Sequence, residues 1–200
     1  MEKSIFNTGH QQMIVASKIV IGLERVSELF KVLLWEHAKA TGLSPTQIQL
    51  LIFIANHKPD FCNVSHLANE FNVTKPTISD AVKALDKKEL IIKDFSGVDN
   101  RSYTIHLSDK GKTMVSKIQS FADPIKKRLV NLDGLDNLYA TLTELIYGLH
   151  KSGLLTVQRI CFACKFHEVN DDNHHCNLLN KPLQNNDIQL DCPEFESKSS

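Results

Sequence analysis

The stretch LANEFNVTKPTISDAVKALDKK, Leu67 to Lys88, decides the fold. Leu67, Ala68 and Phe71 close a short helix that begins near Val64, and Phe71-Asn72-Val73 turns the chain. Thr74 then stands at an N-cap position, and Pro76 lies in the first turn, where its missing N–H costs no hydrogen bond. Ile78, Val82 and Leu85 recur at steps of four and three and give this second helix one apolar face, running to about Lys88. The polar positions Thr74, Lys75, Thr77, Ser79, Asp80 and Lys83 cluster near its start. Two helices joined by a tight turn form a helix-turn-helix, whose second helix enters the major groove with its N-terminal side chains on base edges. Hydroxyl and ammonium groups suit phosphate and base contacts. The same lysines also fit a solvated helix face, and composition alone does not choose between the two.

The flanking segments extend this arrangement. After Thr41-Gly42, Ser44 caps and Pro45 opens a helix with Ile48, Leu51, Ile52 and Ala55 inward, stopped at Lys58-Pro59-Asp60. Downstream, IIKDF (91–95) and SYTIHL (102–107) alternate in polarity around the turn cluster SGVDN, which predicts a β-hairpin. Arg101, beside that turn, is placed to enter a groove or to pair with Asp99 and brace the loop. Ser108 caps a further helix, in which Asp123-Pro124 marks a kink or a restart. A last helix spans about Leu135 to Lys151, with Leu138, Leu142, Leu145 and Leu149 in register. At the other end, residues 11–40 read as one long helix whose stripe runs through Ala16, Ile19, Leu23, Val26, Phe30 and Leu33. Val20, Ile21 and Leu34 lie off that stripe, so the helix needs either a deep core or a second chain. The expected fold class is mainly α with a small β-hairpin wing: a winged helix-turn-helix between N- and C-terminal dimerisation helices.

These residues resemble the MarR family of winged-helix transcriptional regulators. The resemblance rests on Leu67-Ala68, on Val73-Thr74 through Lys88, on Asp99-Asn100-Arg101, and on LSDKG, Leu107 to Gly111, which is similar to the family's leucine–Ser/Thr–x–x–Gly junction after the wing. It covers roughly residues 11–152. One departure is Glu89-Leu90, where the family usually has Gly before the first wing strand. The resemblance implies a homodimer that binds a pseudo-palindromic double-stranded DNA operator, with Thr74, Lys75, Thr77, Ser79, Asp80, Lys83 and Arg101 at the interface. It also implies a small-molecule effector in a cleft between the dimer helices and the DNA lobes. Trp35 and His37 are the residues that would face such a cleft, although Trp35 is expected in the core and His37 at the surface.

Composition bounds these expectations. The chain has 200 residues, 23 basic and 23 acidic, with 42% apolar residues. Residues 159–200 carry four basic and seven acidic groups, which leaves 19 and 16 in the first 158, a mildly basic segment. DNA contact therefore has to come from local placement of charge rather than from a bulk field. No apolar run reaches the roughly 18 residues of a membrane span, and MEKSIFNTGHQQ lacks the basic start and apolar run of a secretory signal, so a cytoplasmic location without membrane partners is expected. The first 155 residues show no nucleophile–base pair, Gly-rich phosphate loop or carboxylate cluster, and an enzyme is not expected.

Four of the five cysteines fall in the last forty residues, spaced Cys161-x2-Cys164-x11-Cys176-x15-Cys192; the fifth, Cys62, reads as a lone, partly buried thiol. In a reducing compartment such clustering points to metal, not to disulfides. Four thiolates suit zinc or an iron–sulfur cluster, and His167, His174 and His175 are candidate substitutes for a cysteine. Leu178, Leu179, Leu183, Ile188 and Leu190 are too apolar for a disordered tail, and a segment this short needs a staple. The expectation is a domain over 1–155 and a four-cysteine tail over 156–200 holding one metal centre, zinc slightly ahead of iron–sulfur. Such a centre either stabilises the protein or makes it metal- or redox-responsive. The alternatives are a winged helix for protein contacts with a structural zinc tail, or a redox protein.

Overall fold

The computed structural model describes residues 4–8, 14–96, 103–155, 159–170 and 173–198. Helix α1 spans Val15–Thr41 and ends at Gly42, whose φ of 68° places it in the left-handed region while its N–H donates to Ala38 O at 2.9 Å. Only the C-terminal third of α1 buries apolar side chains, through Leu33, Leu34 and Ala38. Upstream, Ile19, Val20, Leu23, Val26 and Phe30 are exposed in the single chain, as is Trp35 at 56%. The expectation of a core position for Trp35 thus fails. The two apolar faces of α1 are read correctly from the sequence, but one chain covers only a fraction of them.

Helix α2, Pro45–Asn56, begins with a reciprocal capping box between Ser44 and Gln47 and buries Ile48, Leu50, Leu51, Phe53 and Ile54. A 3-10 turn, Pro59–Phe61, leads to α3, Val64–Glu70, capped by the Asn63 side chain, which accepts from His66 N. The turn into α4, Lys75–Lys87, is made by Asn72 at φ 50°, with Val73 N donating back to Ala68 O at 3.0 Å. Asn tolerates the left-handed region better than other side-chain-bearing residues, so the turn forms without glycine. Ile78, Val82 and Leu85 are fully buried in α4 and fix which face is left to solvent.

Strands β1, Ile91–Asp94, and β2, Thr104–Leu107, pair antiparallel with Ile91 opposite Leu107 and Asp94 opposite Thr104. The departure at Glu89 has a structural answer. Glu89 takes φ 59°, the conformation a glycine would supply, and Ser108 Oγ donates to its carbonyl at 2.6 Å. Ser108 also caps α5, Asp109–Ile118, by accepting from Gly111 N at 3.0 Å. At Gly111 the chain leaves no room for a side chain: an added Cβ would lie 2.0 Å from Leu90 O. The junction signature therefore encodes contact between the first turn of α5 and the start of the wing. The chain restarts at Asp123 as α6, Asp123–Leu129, and ends the helical part with α7, Leu135–Lys151.

Beyond α7 lies an antiparallel sheet that the sequence reading did not anticipate. It comprises β3, His167–Asn170, β4, Asn173–Cys176, and β5, Lys181–Leu183, in the order β3-β4-β5. Its segment is anchored by Ile160 and Ile188, both buried, and by Tyr139 of α7, whose hydroxyl donates to Ile188 O at 2.5 Å. The main core is a single cluster in which Leu51, Leu67, Ile78, Leu85, Ile105 and Ile118 meet.

Candidate functional site

The polar end of α4 is set by its cap. Thr74 Oγ1 accepts from Thr77 N at 3.3 Å and contacts Thr77 Oγ1 at 2.8 Å, so both hydroxyls are held at the helix start. Thr74, Lys75, Thr77, Asp80 and Lys83 are exposed and Ser79 is half-buried, whereas Ile78, Val82 and Leu85 are buried. Six of the seven interface residues expected from sequence are thus at least partly open to solvent. The seventh, Arg101, lies outside the described residues, as do Asp99 and Asn100. One restraint on that surface is internal: Lys83 Nζ donates to Asp80 Oδ1 at 3.1 Å, which halves the free positive charge of the helix face. In the wing, Lys93 is engaged by Asp86 at 2.6 Å and stacks over Tyr103, so it braces the hairpin.

The second candidate site is in the tail. Cys161, Cys164, Cys176 and Cys192 all line one cavity of about 160 Å³. Its other walls are largely apolar, including Phe166, Leu178, Leu179, Leu183 and Pro193. Three separate pieces of backbone deliver the thiols. Cys161 and Cys164 bracket a 3-10 turn closed by Cys164 N to Cys161 O at 2.9 Å, Cys176 ends β4, and Cys192 follows a bridge between Arg159 and Asp191. Gln189 N donates to Cys161 Sγ at 3.2 Å. Burial pushes the Cys161 and Cys192 thiols up, offset in part by backbone N–H groups of Gln189 and Glu194. His167 reaches the cavity wall, and burial together with His174 and Lys198 lowers its pKa to about 4, so it is neutral at pH 7. His174 bonds to His167 at 3.0 Å and His175 to Asn177 at 3.0 Å; neither lines the cavity. Cys62 is remote from this group, fully buried in the main core, and its thiol is pushed up to about 11 by burial alone.

A sequence profile described as the MarR family matches residues 41–102. Solved structures agree on the fold. S. aureus MepR in complex with DNA is 23% identical, with 65% of this chain and 97% of that one covered at a TM-score of 0.57. The transcriptional regulator BldR from Sulfolobus solfataricus is 17% identical, with 68% and 99% covered at 0.52. The transcriptional repressor CouR bound to a 23-mer DNA duplex is 23% identical, with 72% and 98% covered at 0.54. All three match this chain in fold at TM-scores above 0.5. They are matched almost whole, which leaves roughly a third of this chain beyond them. No protein of curated function matches the sequence significantly.

The helix-turn-helix and the cysteine tail meet at Arg159, which is 6% exposed. Its Nη1 and Nη2 donate to the two carboxylate oxygens of Glu70, in α3, at 2.8 and 3.1 Å, and its Nε donates to Asp191 Oδ1 at 2.6 Å. The guanidinium lies over Phe53 and Phe61, with its carbon 5.2 and 5.5 Å from the ring centres. Burial opposes the charge, but the hydrogen bonds to Asp191 and Glu70 outweigh it and hold the group firmly protonated. His57 completes the set: Nδ1 lies 2.8 Å from Phe53 O, and Nε2 lies 2.9 Å from Asp191 Oδ2 and 3.2 Å from Arg159 Nη2. Burial works against the Asp191 carboxylate too, yet Arg159 and His57 hold its pKa below the usual value. Lys58 adds an exposed pair with Glu194 at 2.8 Å. Sequence reasoning missed this clamp. The available signal was an opposite charge pair, Arg159 and Asp191, standing just before the first and last tail cysteines.

Proposed function

We propose that the protein is a sequence-specific DNA-binding transcriptional regulator that acts as a homodimer. The observation that carries this reading is α4: buried Ile78, Val82 and Leu85 lock it against a MarR-family core while Thr74, Lys75, Thr77 and Lys83 stay exposed beside the wing. Dimerisation is supported by the apolar face of α1 and by exposed Leu138 and Leu145 on α7, since contiguous apolar surface of this kind marks an interaction site. Two-fold symmetry then sets two α4 helices one DNA turn apart, about 34–36 Å, and the operator is pseudo-palindromic.

The four-cysteine tail binds a metal centre and acts on the DNA lobe through the clamp. Cys161 and Cys192 are two and one residues from Arg159 and Asp191, and Arg159 grips α3, the first helix of the helix-turn-helix. Metal held at the cysteines keeps that clamp assembled; its loss frees the tail and alters the setting of α3 and α4. For a small-molecule effector, an open hollow between α2, β2 and α5 pairs His106 and Lys112 with apolar Ile54, Leu107 and Val115.

Full-length protein titrated against duplex DNA over a series of salt concentrations tests the reading. Binding that weakens steeply with salt and distinguishes sequences is expected. Salt-independent or absent binding would favour a protein-contact role, for which the Asp80–Lys83 pair is the supporting feature. Cys161→Ser and Cys176→Ser proteins test the tail: loss of metal with unchanged operator binding removes the regulatory part of the reading.

A further inference from the structure

We propose that the tail cavity is built for an iron–sulfur cluster of the [4Fe–4S] size. The proposal rests on the reading above that the tail cysteines bind metal, and it names the metal's chemical class. A single zinc ion at about 2.3 Å from four thiolates draws the sulfurs to within about 3.8 Å of one another and leaves no interior space. The four cysteines here ring a cavity of about 160 Å³ instead. A water molecule needs only about 10–15 Å³ on the same measure, and an apolar cavity of about 150 Å³ holds benzene, with six heavy atoms. The space therefore suits a polynuclear group rather than one ion.

The remaining features agree with a cluster. The walls away from the sulfurs are mainly apolar, with Phe166, Leu178, Leu179, Leu183 and Pro193, of which Leu178 and Leu179 also face solvent. Solvent exposure and hydrogen bonding at sulfur are the protein's means of tuning such groups. Gln189 N–H supplies one such bond to Cys161 Sγ. The thiols are set on a 3-10 turn, a strand end and the residue after a backbone bridge, three pieces of backbone around one cavity. Two ferrous ions, two ferric ions and four inorganic sulfides supply the core of overall charge 2+, and the four thiols, on giving up their protons, complete the coordination.

The test uses the full chain purified without oxygen, and a second sample reconstituted with ferrous and ferric iron and sulfide. Iron, acid-labile sulfide and zinc are counted per chain, with Mössbauer and absorption spectra on the same samples. About four iron and four sulfide per chain, with broad visible absorption, are expected for this cluster type. Cys176→Ser is expected to lose most of the iron, whereas Cys62→Ser, altered in the main core, keeps it. One zinc per chain, colourless and not displaced by iron and sulfide, overturns the cluster but leaves a metal-binding tail. No metal under either procedure overturns both. Two iron and two sulfide overturn the assigned size. DNA binding measured on the same samples reads the regulator assignment separately.

Discussion

Replacing Arg159 by alanine is the perturbation that bears most directly on how the tail is joined to the helix-turn-helix. The substitution removes a bidentate pair to Glu70, a hydrogen bond to Asp191, and a cation stacked on Phe53 and Phe61. Breaking a buried ion pair by deleting one partner costs about 3–5 kcal/mol, because the other charge is left without compensation. Glu70, whose side chain is 18% exposed, fits that case; Asp191, at 50%, relaxes into water and adds little. Loss of the cation–aromatic contacts adds about 1 kcal/mol. Tail docking should therefore weaken by about 4–6 kcal/mol, which is well over about a hundredfold in the opening equilibrium. Hydrogen exchange followed by mass spectrometry reads this directly. Amides from Ile160 to Cys164 and Gln189 to Cys192 should lose at least about a hundredfold protection, while those of α2 around Leu50 and Leu51 stay unchanged. Arg159→Lys should rescue only part, since an ammonium cannot make the two-pronged bond to Glu70. Unchanged protection in Arg159→Ala would show that the clamp does not hold the tail.

Three further outcomes follow from the same structure. Leu23→Glu combined with Val26→Glu places two charges on the exposed apolar face of α1 and removes about 1.5–3 kcal/mol of burial at each position, so light scattering should show monomer where the parent is dimeric. A dimer that survives would move the interface elsewhere. Gly111→Ala forces a methyl into Leu90 O and should lower stability in urea by about 2 kcal/mol or more, with the wing strands the first to exchange. An unaffected midpoint would mean that α5 shifts away at no cost. His66 is kept below its ordinary pKa, chiefly by burial, so the folded chain binds fewer protons than the unfolded one as pH falls through 6.5. Its contribution is complete above that value and is lost progressively toward the depressed folded pKa. His66→Gln should flatten that part of the stability profile, and a profile of unchanged slope would place the titration elsewhere.

Much of the helix-turn-helix was legible because its signals are local. Ser44, Thr74 and Ser108 each cap the helix that the sequence assigns to them, and the α4 periodicity of Ile78, Val82 and Leu85 became its buried face. Gly111 was legible as part of a motif, while its reason, the approach of Leu90 O, required the fold. The tail was harder. HEVN, NHHC and KPL are too short and too polar to show a strand period, so β3 to β5 carried no signal in the sequence. Arg159 joins Glu70 across 89 positions, and nothing in either local sequence marks a buried pair. Trp35 shows the limit of periodicity from the other side: α1 advertises its apolar faces but not which molecule covers them. The cysteine spacing indicated a common site, whereas the size of that site depends on how the three pieces of backbone converge.

The central claim is that two copies of α4 read DNA as a symmetric pair. Hydroxyl-radical footprinting of the full-length protein on a duplex selected for tight binding tests it most directly. The account predicts two matching protected patches related by a dyad, with centres about one helical turn, roughly 10 base pairs, apart, and loss of both in Thr77→Ala/Lys83→Ala. A single unpaired patch, or protection that survives those substitutions, would contradict it.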